Sequence, residues 1–412
     1  MALVAVAVAV LLALHAAGAG FQGNPLDVVR GAAPGDRLWE IPDRRGPVIG
    51  VSLLVWLAAF AAAMAAERLA ARSGAPFAAY ASKRRTGRVA ARVLALALVY
   101  LPLLCLSAAA LEPGVGAERL LVMLGSPALA ALTLATLGGY RALAVACAVT
   151  ALAHAIDLIG GSPLIQLSLA GPSPIGGHRF YGIGNELEAA LVAIVLVGTG
   201  AALSPVRLSN PTGRKGAPEG WAGGPAAFLV VAAIFSFVFA YGRYGADVGA
   251  AISLPLGAAV AAASLAGRPR LALLAFALPV PALALLSAAD LLTGANAHLT
   301  RTVLDAQSGG DVLAVFGHRL SETAASFGRP ILLVGLPLTA AAAAIAWRGR
   351  ARIGAWLGGV PAVRAALLGA LAATVVGTLA NDSGALLLEI GAIYLLAFVG
   401  FAWAESSPAS AR

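Results

Sequence analysis

Three short polar segments interrupt an otherwise apolar chain. They are residues 178–186, with the sequence HRFYGIGNE, residues 241–249, with YGRYGADVG, and residues 381–384, with NDSG. In the first two, an arginine is followed by an aromatic residue, a glycine and then an acid. Helix capping and tight turns would explain any one segment alone. Their joint concentration of charge and glycine at membrane depth, where ionisable residues are costly, predicts one shared polar site.

The residue types in these segments suit anion binding and acid–base chemistry. The guanidinium groups of Arg179 and Arg243 can make forked contacts to a phosphate or a carboxylate. The predicted substrate-binding residues are polar or aromatic: Arg179, Tyr181, Asn185, Arg243, Tyr244 and Asn381. The predicted catalytic residues carry carboxyl groups that could act as general bases or hold Mg²⁺ or Ca²⁺: Glu186, Asp247 and Asp382.

Apolar runs on either side of these segments supply the helices that must position them. Twelve runs match the roughly 20 residues that cross a bilayer, and a helix is the structure that satisfies its own backbone in lipid. The predicted spans are 2–20, 47–66, 93–111, 120–139, 142–160, 187–206, 224–242, 248–266, 271–290, 330–347, 361–380 and 384–403. The sixth, eighth and twelfth begin at the outer face, where their free N–H groups suit an anion.

Composition excludes a soluble globular protein, because 60% of the 412 residues are hydrophobic and 11% are charged. The net charge of +9 does not indicate nucleic-acid binding, since the basic residues are confined to short loops such as 67–92 and 207–223. These loops all fit one orientation under the positive-inside rule. The prediction is an all-α polytopic helix bundle in the bacterial cytoplasmic membrane, with both termini cytoplasmic and the polar segments outside.

We predict a single transmembrane domain over residues 1–412, in which two segments have open roles. Residues 1–20 fit either a retained first helix or a cleaved signal peptide. The extracytoplasmic loop 291–329 fits either a solvated connection or a lid over the substrate. The lid is suggested by its stretch 311–325, which could form an amphipathic helix on the membrane.

Ionisable residues inside the spans are further candidates. Glu389 lies in the twelfth span, where an acid marks either a proton relay or a hydrogen-bonding partner of a neighbouring helix. Asp382, seven residues earlier, shares its helix face. His154 and Asp157 lie three residues apart in the fifth span and form either a structural pair or a catalytic one.

The motifs Arg-Phe-Tyr-Gly-Ile-Gly-Asn-Glu at 179–186, Gly-Ala-Asp-Val-Gly at 245–249 and Asn-Asp-Ser-Gly at 381–384 together resemble a family of uncharacterised bacterial polytopic membrane proteins. The resemblance covers about residues 170–400. It implies a multi-helix membrane fold and the position of a site, but no reaction. In helix count, orientation and a long external loop with Arg and His, the chain is also similar to O-antigen ligases and related glycosyltransferases.

Three functions are compatible with these features. The first is a transferase or ligase that acts at the outer leaflet on a lipid-linked anionic substrate of the cell envelope, such as a polyprenyl phosphate or a phospholipid. The second is a secondary transporter or lipid flippase that uses Glu389 as an intramembrane acid. The third is a non-enzymatic scaffold of an envelope complex. Membrane lipids are partners in each case, and nucleic acid is not.

Overall fold

The computed structural model describes residues 35–72, 77–172, 182–204, 223–293, 317, 321–328, 335–381 and 383–406. Within these ranges the chain forms helices and turns and contains no strand. It separates into two compact units, one of Met1–Gly184 with Leu396–Arg412 and one of Asn185–Leu395. The all-helical fold class is therefore confirmed for this part of the chain, whereas a single transmembrane domain stays a prediction.

The first unit contains five α-helices in the described residues. They are α1 (Gly35–Arg45), α2 (Val51–Arg72), α3 (Phe77–Leu111), α4 (Val115–Leu137) and α5 (Gly139–Ile159). A single π turn, Gly46–Gly50, joins α1 to α2 without a break. Gly138, with φ of 64°, lies in the left-handed region that favours glycine and allows the sharp change of direction between α4 and α5.

Ion pairs tie the helix ends of the first unit together. Near one end, the Arg44 guanidinium contacts the buried Glu118 carboxylate at 3.1 Å. At the C-terminus of the last helix of the chain, the Arg92 Nε lies 2.6 Å from Glu405. These contacts join the last turn of α1 to the first turn of α4, and the body of α3 to residue 405.

The second unit contains eight α-helices of eight or more residues in its described part. They are α6 (Asn185–Ala202), α7 (Gly224–Ala240), α8 (Val248–Leu265), α9 (Pro279–Thr293), α10 (Gly335–Arg348), α11 (Arg350–Leu357), α12 (Pro361–Ala380) and α13 (Gly384–Glu405), the last of which continues into the first unit from Leu396. The core helix is α6, since every residue from 187 to 198 is buried. It packs against α7, α8 and α12.

Small residues let α8 and α12 approach closely. A Cβ added at Gly369 would lie 2.3 Å from the Gly257 carbonyl oxygen, so no larger side chain fits between the two backbones. Close contact through glycine is the usual way in which helices pack in lipid. This contact sets α8 and α12 at a fixed separation below the candidate site.

Among the described residues, eight helices are long and apolar enough to cross a membrane: Glu40–Leu69, Thr86–Leu111, Val115–Leu137, Gly139–Ile159, Asn185–Ala202, Val248–Leu265, Pro361–Ala380 and Gly384–Glu405. Each overlaps one of the twelve predicted spans. The helix Gly224–Ala240 is apolar but shorter. This set of helices is that of a membrane-embedded, multi-pass protein.

The remaining predicted spans differ from the structure or lie outside it. The run 271–290 is divided into a 3₁₀ helix, Pro269–Ala277, and the helix α9. Its division falls at Pro279, which has no N–H to continue a helix. Of the run 330–347, the structure describes the 14-residue helix α10. The first span, 2–20, lies outside the described residues.

Candidate functional site

A fully buried carboxyl group, that of Glu188, lies at the centre of the polar cluster in the second unit. It belongs to the first turn of α6, where acids interact favourably with the helix N-terminus. The Ser253 hydroxyl of α8 donates a hydrogen bond to Glu188 Oε1 at 2.7 Å. The Asn381 side-chain amide donates to Glu188 Oε2 at 3.0 Å. Both carboxyl oxygens are therefore held in place by neighbouring elements.

A second carboxyl group, that of Asp247, adjoins Glu188. Asp247 is the N-cap of α8, where its Oδ1 accepts the Gly249 N–H at 2.9 Å, and its side chain is 2% exposed. The Asp247 and Glu188 carboxyl groups both adjoin Gly249: Asp247 accepts its N–H, and Glu188 Oε2 would lie 2.6 Å from a Cβ there. Two neighbouring carboxyl groups that are both buried are costly to ionise together, so such a pair favours one retained proton. The cluster is thus suited to holding and exchanging a proton inside an apolar bundle.

Gly249 supplies the space in which the amide and the carboxyl group meet. A Cβ at this position would lie 2.3 Å from Asn381 Nδ2 and 2.6 Å from Glu188 Oε2. Neither group could move away without losing its hydrogen bonds, because both are buried. The glycine of the segment 245–249 therefore serves the site through its lack of a side chain.

Asn381 links this cluster to a short segment of the loop that follows α9. It lies directly after α12, and its own carbonyl oxygen accepts a hydrogen bond from the Thr323 hydroxyl at 2.7 Å. The Ser326 hydroxyl accepts the N–H of Ala385 at 3.1 Å. Residues 321–326 form a helical turn in which Thr323 and Ser326 are buried. Of the predicted amphipathic stretch 311–325, only 317 and 321–325 are described.

The structure brings together two of the residues predicted from the three polar segments, Asp247 and Asn381, and adds Glu188, which follows the first segment by two positions. Asn185 and Glu186 are partly exposed at the start of α6. Arg243 is exposed in the turn between α7 and α8, four residues before Asp247. The other predicted residues lie outside the described part of the chain: Arg179, Tyr181 and Asp382.

Tyr244 belongs to an aromatic cluster in the same turn. Its ring lies 5.2 Å from that of Tyr241, which stacks on Phe237 at 5.0 Å. Tyr241 is buried, while Tyr244 is partly exposed. These rings hold the turn that carries Arg243 against the end of α7.

Glu389 occupies a separate position on α13. Its side chain is half-buried, and its Oε1 atom is shielded from solvent without a hydrogen-bond partner among the described residues. Its carboxyl group lies against Gly335, the first residue of α10, where a Cβ would come within 2.2 Å of Oε1. The pairing of Glu389 with Asp382 that the sequence suggests involves a residue outside the described ranges.

His154 and Asp157 both bond to the backbone. His154 Nδ1 bonds to the Thr150 carbonyl oxygen at 2.8 Å. The Asp157 carboxylate accepts the N–H groups of Leu164 and Ile165 at 3.1 and 2.9 Å. These bonds fit a structural role for each residue, since Asp157 closes the turn that follows α5.

Sequence reasoning missed Glu188 and Ser253 as members of the site. The sequence did contain a signal for Glu188. As argued for Glu389, an ionisable residue within an apolar span marks a functional residue or a buried partner. Glu188 fits this description, because it is followed by an uninterrupted apolar run.

Among the described residues, no group of three or more His, Cys, Asp or Glu side chains could hold a metal ion. A divalent cation at this site therefore stays a prediction. Comparisons of the chain with protein-family models, with curated proteins and with solved structures found no match. The resemblance drawn from the three motifs likewise stays a prediction.

Proposed function

We propose that the chain is a multi-pass protein of the bacterial cytoplasmic membrane that acts at the outer face on a lipid-linked anionic substrate of the cell envelope. In this proposal the Glu188–Asp247 pair handles the proton of the reaction, and Arg243 contacts the anionic group. The observation that carries it is the pair of buried carboxyl groups beside Gly249, with the exposed Arg243 four residues before Asp247. The reaction class is a group transfer, as in a transferase or a ligase.

The proposed topology has twelve spans, cytoplasmic termini and outward-facing motifs. Ion pairs of the first unit support the alternation of the helices. Arg44 and Glu118 adjoin the starts of two spans that both begin outside under this topology. Arg92 and Glu405 adjoin a start and an end that are both cytoplasmic. The assignment of one face of the membrane as cytoplasmic rests on the basic loops, through the positive-inside rule.

The roles of the two acids follow from their positions in the helices. Asp247 lies at the N-terminal end of α8, next to the turn that carries Arg243, whereas Glu188 is one turn inside α6. Asp247 is thus the group nearer to a bound substrate, and we assign it the role of general base. Glu188 shares the proton that Asp247 takes up, and Ser253 and Asn381 fix its orientation.

The anionic group of the substrate is expected near the turn 241–247. Arg243 offers a forked donor that suits a phosphate. Asn185, at the N-terminus of α6, adds a polar side chain at the helix end that favours a negative charge. Asn381, by contrast, uses its side-chain amide on Glu188, so we assign it to positioning of the acid rather than to the substrate.

Proton-coupled transport is the second candidate, and burial favours it. Glu188, Ser253, Asp247 and Asn381 are all at most 4% exposed, as expected of an occluded binding site. Glu389 adds a second acid within a span, with a shielded oxygen. In reconstituted vesicles, transport predicts proton-dependent substrate movement that is lost in Glu188→Gln and Glu389→Gln.

The test of the first proposal separates binding from chemistry. Native mass spectrometry of the purified protein reports which lipids it retains. We expect a phosphorylated lipid to be lost from Arg243→Ala and retained in Arg268→Ala, because Arg268 is an exposed arginine at the opposite end of α8. Asp247→Asn, which preserves the N-cap, should retain the lipid but lose the effect of the protein on envelope polymers. Equal lipid retention in both arginine variants would overturn the anion site.

A further inference from the structure

The segment 321–328 lies against the turn between α12 and α13. We infer that this segment is a structural part of the acid site, in which Thr323 positions Asn381 for its bond to Glu188 and Ser326 closes the N-terminus of α13. The inference rests on the proposed function only in taking the Glu188–Asp247 pair as the working group. Its evidence is a chain of hydrogen bonds between buried groups.

Thr323 acts on Glu188 through Asn381. The Thr323 hydroxyl donates to the Asn381 carbonyl oxygen at 2.7 Å, while the side-chain amide of the same asparagine donates to Glu188 at 3.0 Å. Thr323 therefore holds the backbone of Asn381, and the side chain of Asn381 bonds to Glu188. Because Asn381 lies just beyond the last residue of α12, Thr323 helps to fix the direction of its side chain.

Ser326 occupies the helix end that follows this turn. Its hydroxyl accepts the N–H of Ala385 at 3.1 Å and donates to the Thr323 carbonyl oxygen at 2.6 Å. The first N–H groups of a helix have no partner within the helix and readily bind anions. Ser326 satisfies one of them from within the segment, so the segment covers α13 at its start.

The fit between the segment and the turn is close. A Cβ at Gly384 would lie 2.8 Å from the Thr323 methyl carbon and 2.1 Å from the Thr378 carbonyl oxygen. Within the segment, Ala324 and Ala325 are exposed, while the two hydroxyl-bearing residues are buried. The inward face of the segment is thus defined by Thr323 and Ser326.

Carbodiimide labelling of Glu188 tests this assignment directly. Dicyclohexylcarbodiimide reacts with a protonated carboxyl group: the carboxyl oxygen adds to the central carbon, the proton moves to a nitrogen, and acyl migration leaves a stable N-acylurea. The labelling rate at Glu188, followed by peptide mass spectrometry, reports how tightly the carboxyl group is held. It does not depend on any substrate, so failure of the proposed function leaves this measurement intact.

Two substitutions at Thr323 separate the hydroxyl from its packing. Thr323→Val keeps the shape and removes the donor, and Thr323→Ser keeps the donor. We expect Thr323→Val to change the rate of Glu188 labelling at least threefold, and Thr323→Ser and the exposed control Ala324→Ser to label as the wild type does. Labelling of Thr323→Val at the wild-type rate, or equal changes in Thr323→Val and Thr323→Ser, would overturn the inference.

Ser326→Ala provides an independent measurement if Thr323→Val fails to fold. It removes the bonds to Ala385 and Thr323 but leaves the Thr323 hydroxyl in place. We expect an altered Glu188 labelling rate, restored by Ser326→Thr. A wild-type rate in a folded Ser326→Ala variant would overturn the role of the segment as a cover of the site.

Discussion

The Asn381 side-chain amide bonds to the Glu188 carboxyl group at 3.0 Å, although the two residues are 193 positions apart in the sequence. Gly249, from a third helix, lies directly beside this bond. Residues of α6, α8 and the turn after α12 thus meet at one point. Two of the three polar segments recognised in the sequence contribute to this point through Gly249 and Asn381, and Glu188 joins them from two positions beyond the first segment.

Gly249→Ala should disrupt this meeting point. Its new methyl group would overlap the amide of Asn381 and Oε2 of Glu188, both of which are buried and bonded to each other. Overpacking of this kind costs about 1–3 kcal/mol. We expect a lower temperature of unfolding in detergent, measured by tryptophan fluorescence or differential scanning.

Gly400→Ala is the matched control for this experiment. Gly400 lies within α13, and a Cβ there meets nothing within 4 Å. Since alanine is the better helix former by about 1 kcal/mol, this variant should unfold at or above the wild-type temperature. Equal behaviour of the two alanine variants would contradict the close contact at Gly249.

Gly335→Ala should act through Glu389. A Cβ at Gly335 would overlap the Glu389 carboxyl group, which must then leave its position against the start of α10. We therefore expect Gly335→Ala to destabilise the protein, and to do so much less in a Glu389→Ala background. A double-mutant cycle measured by thermal unfolding should give a coupling energy of about 0.5–3 kcal/mol. Additive effects of the two changes would show that the residues do not interact.

Glu118→Ala should destabilise the first unit. The Glu118 side chain is completely buried, and its removal takes away the buried carboxylate with which Arg44 forms an ion pair. Breaking a buried ion pair costs about 3–5 kcal/mol, and the lower end applies because Arg44 also contacts Glu40 and the Pro113 carbonyl oxygen. Glu40→Ala is the control: this partner is 49% exposed, so its loss should cost about 1 kcal/mol or less. Similar losses of unfolding free energy in the two variants would contradict the larger contribution assigned to the buried ion pair.

Helix positions were largely predictable because apolar length alone determines them. A run of about 20 apolar residues crosses a bilayer whatever its packing partners are. The eight apolar helices accordingly overlap predicted spans. The run 271–290 shows the limit of this reasoning, since Pro279 and Pro281 interrupt it and the structure places a 3₁₀ helix before α9.

The members of the site were only partly predictable, because side-chain direction depends on helix rotation. Glu186 and Glu188 are two positions apart, which places them on nearly opposite sides of a helix with 3.6 residues per turn. The structure buries Glu188 and leaves Glu186 partly exposed. Packing of α6 against α8 and α12 decides between the two faces, and a single sequence does not contain that information.

The distance between Glu188 and Asn381 along the chain also governs how the protein is made. Ribosomes add about 5–20 residues per second, so the 193 residues that separate the two take about 10–40 s to synthesise. During that interval α6 has already emerged, whereas the amide that will bond to its acid does not yet exist. Ser253, 65 residues downstream, arrives earlier. Glu188 therefore lacks its Asn381 partner until that residue is translated. The site is assembled in the order in which its residues are synthesised.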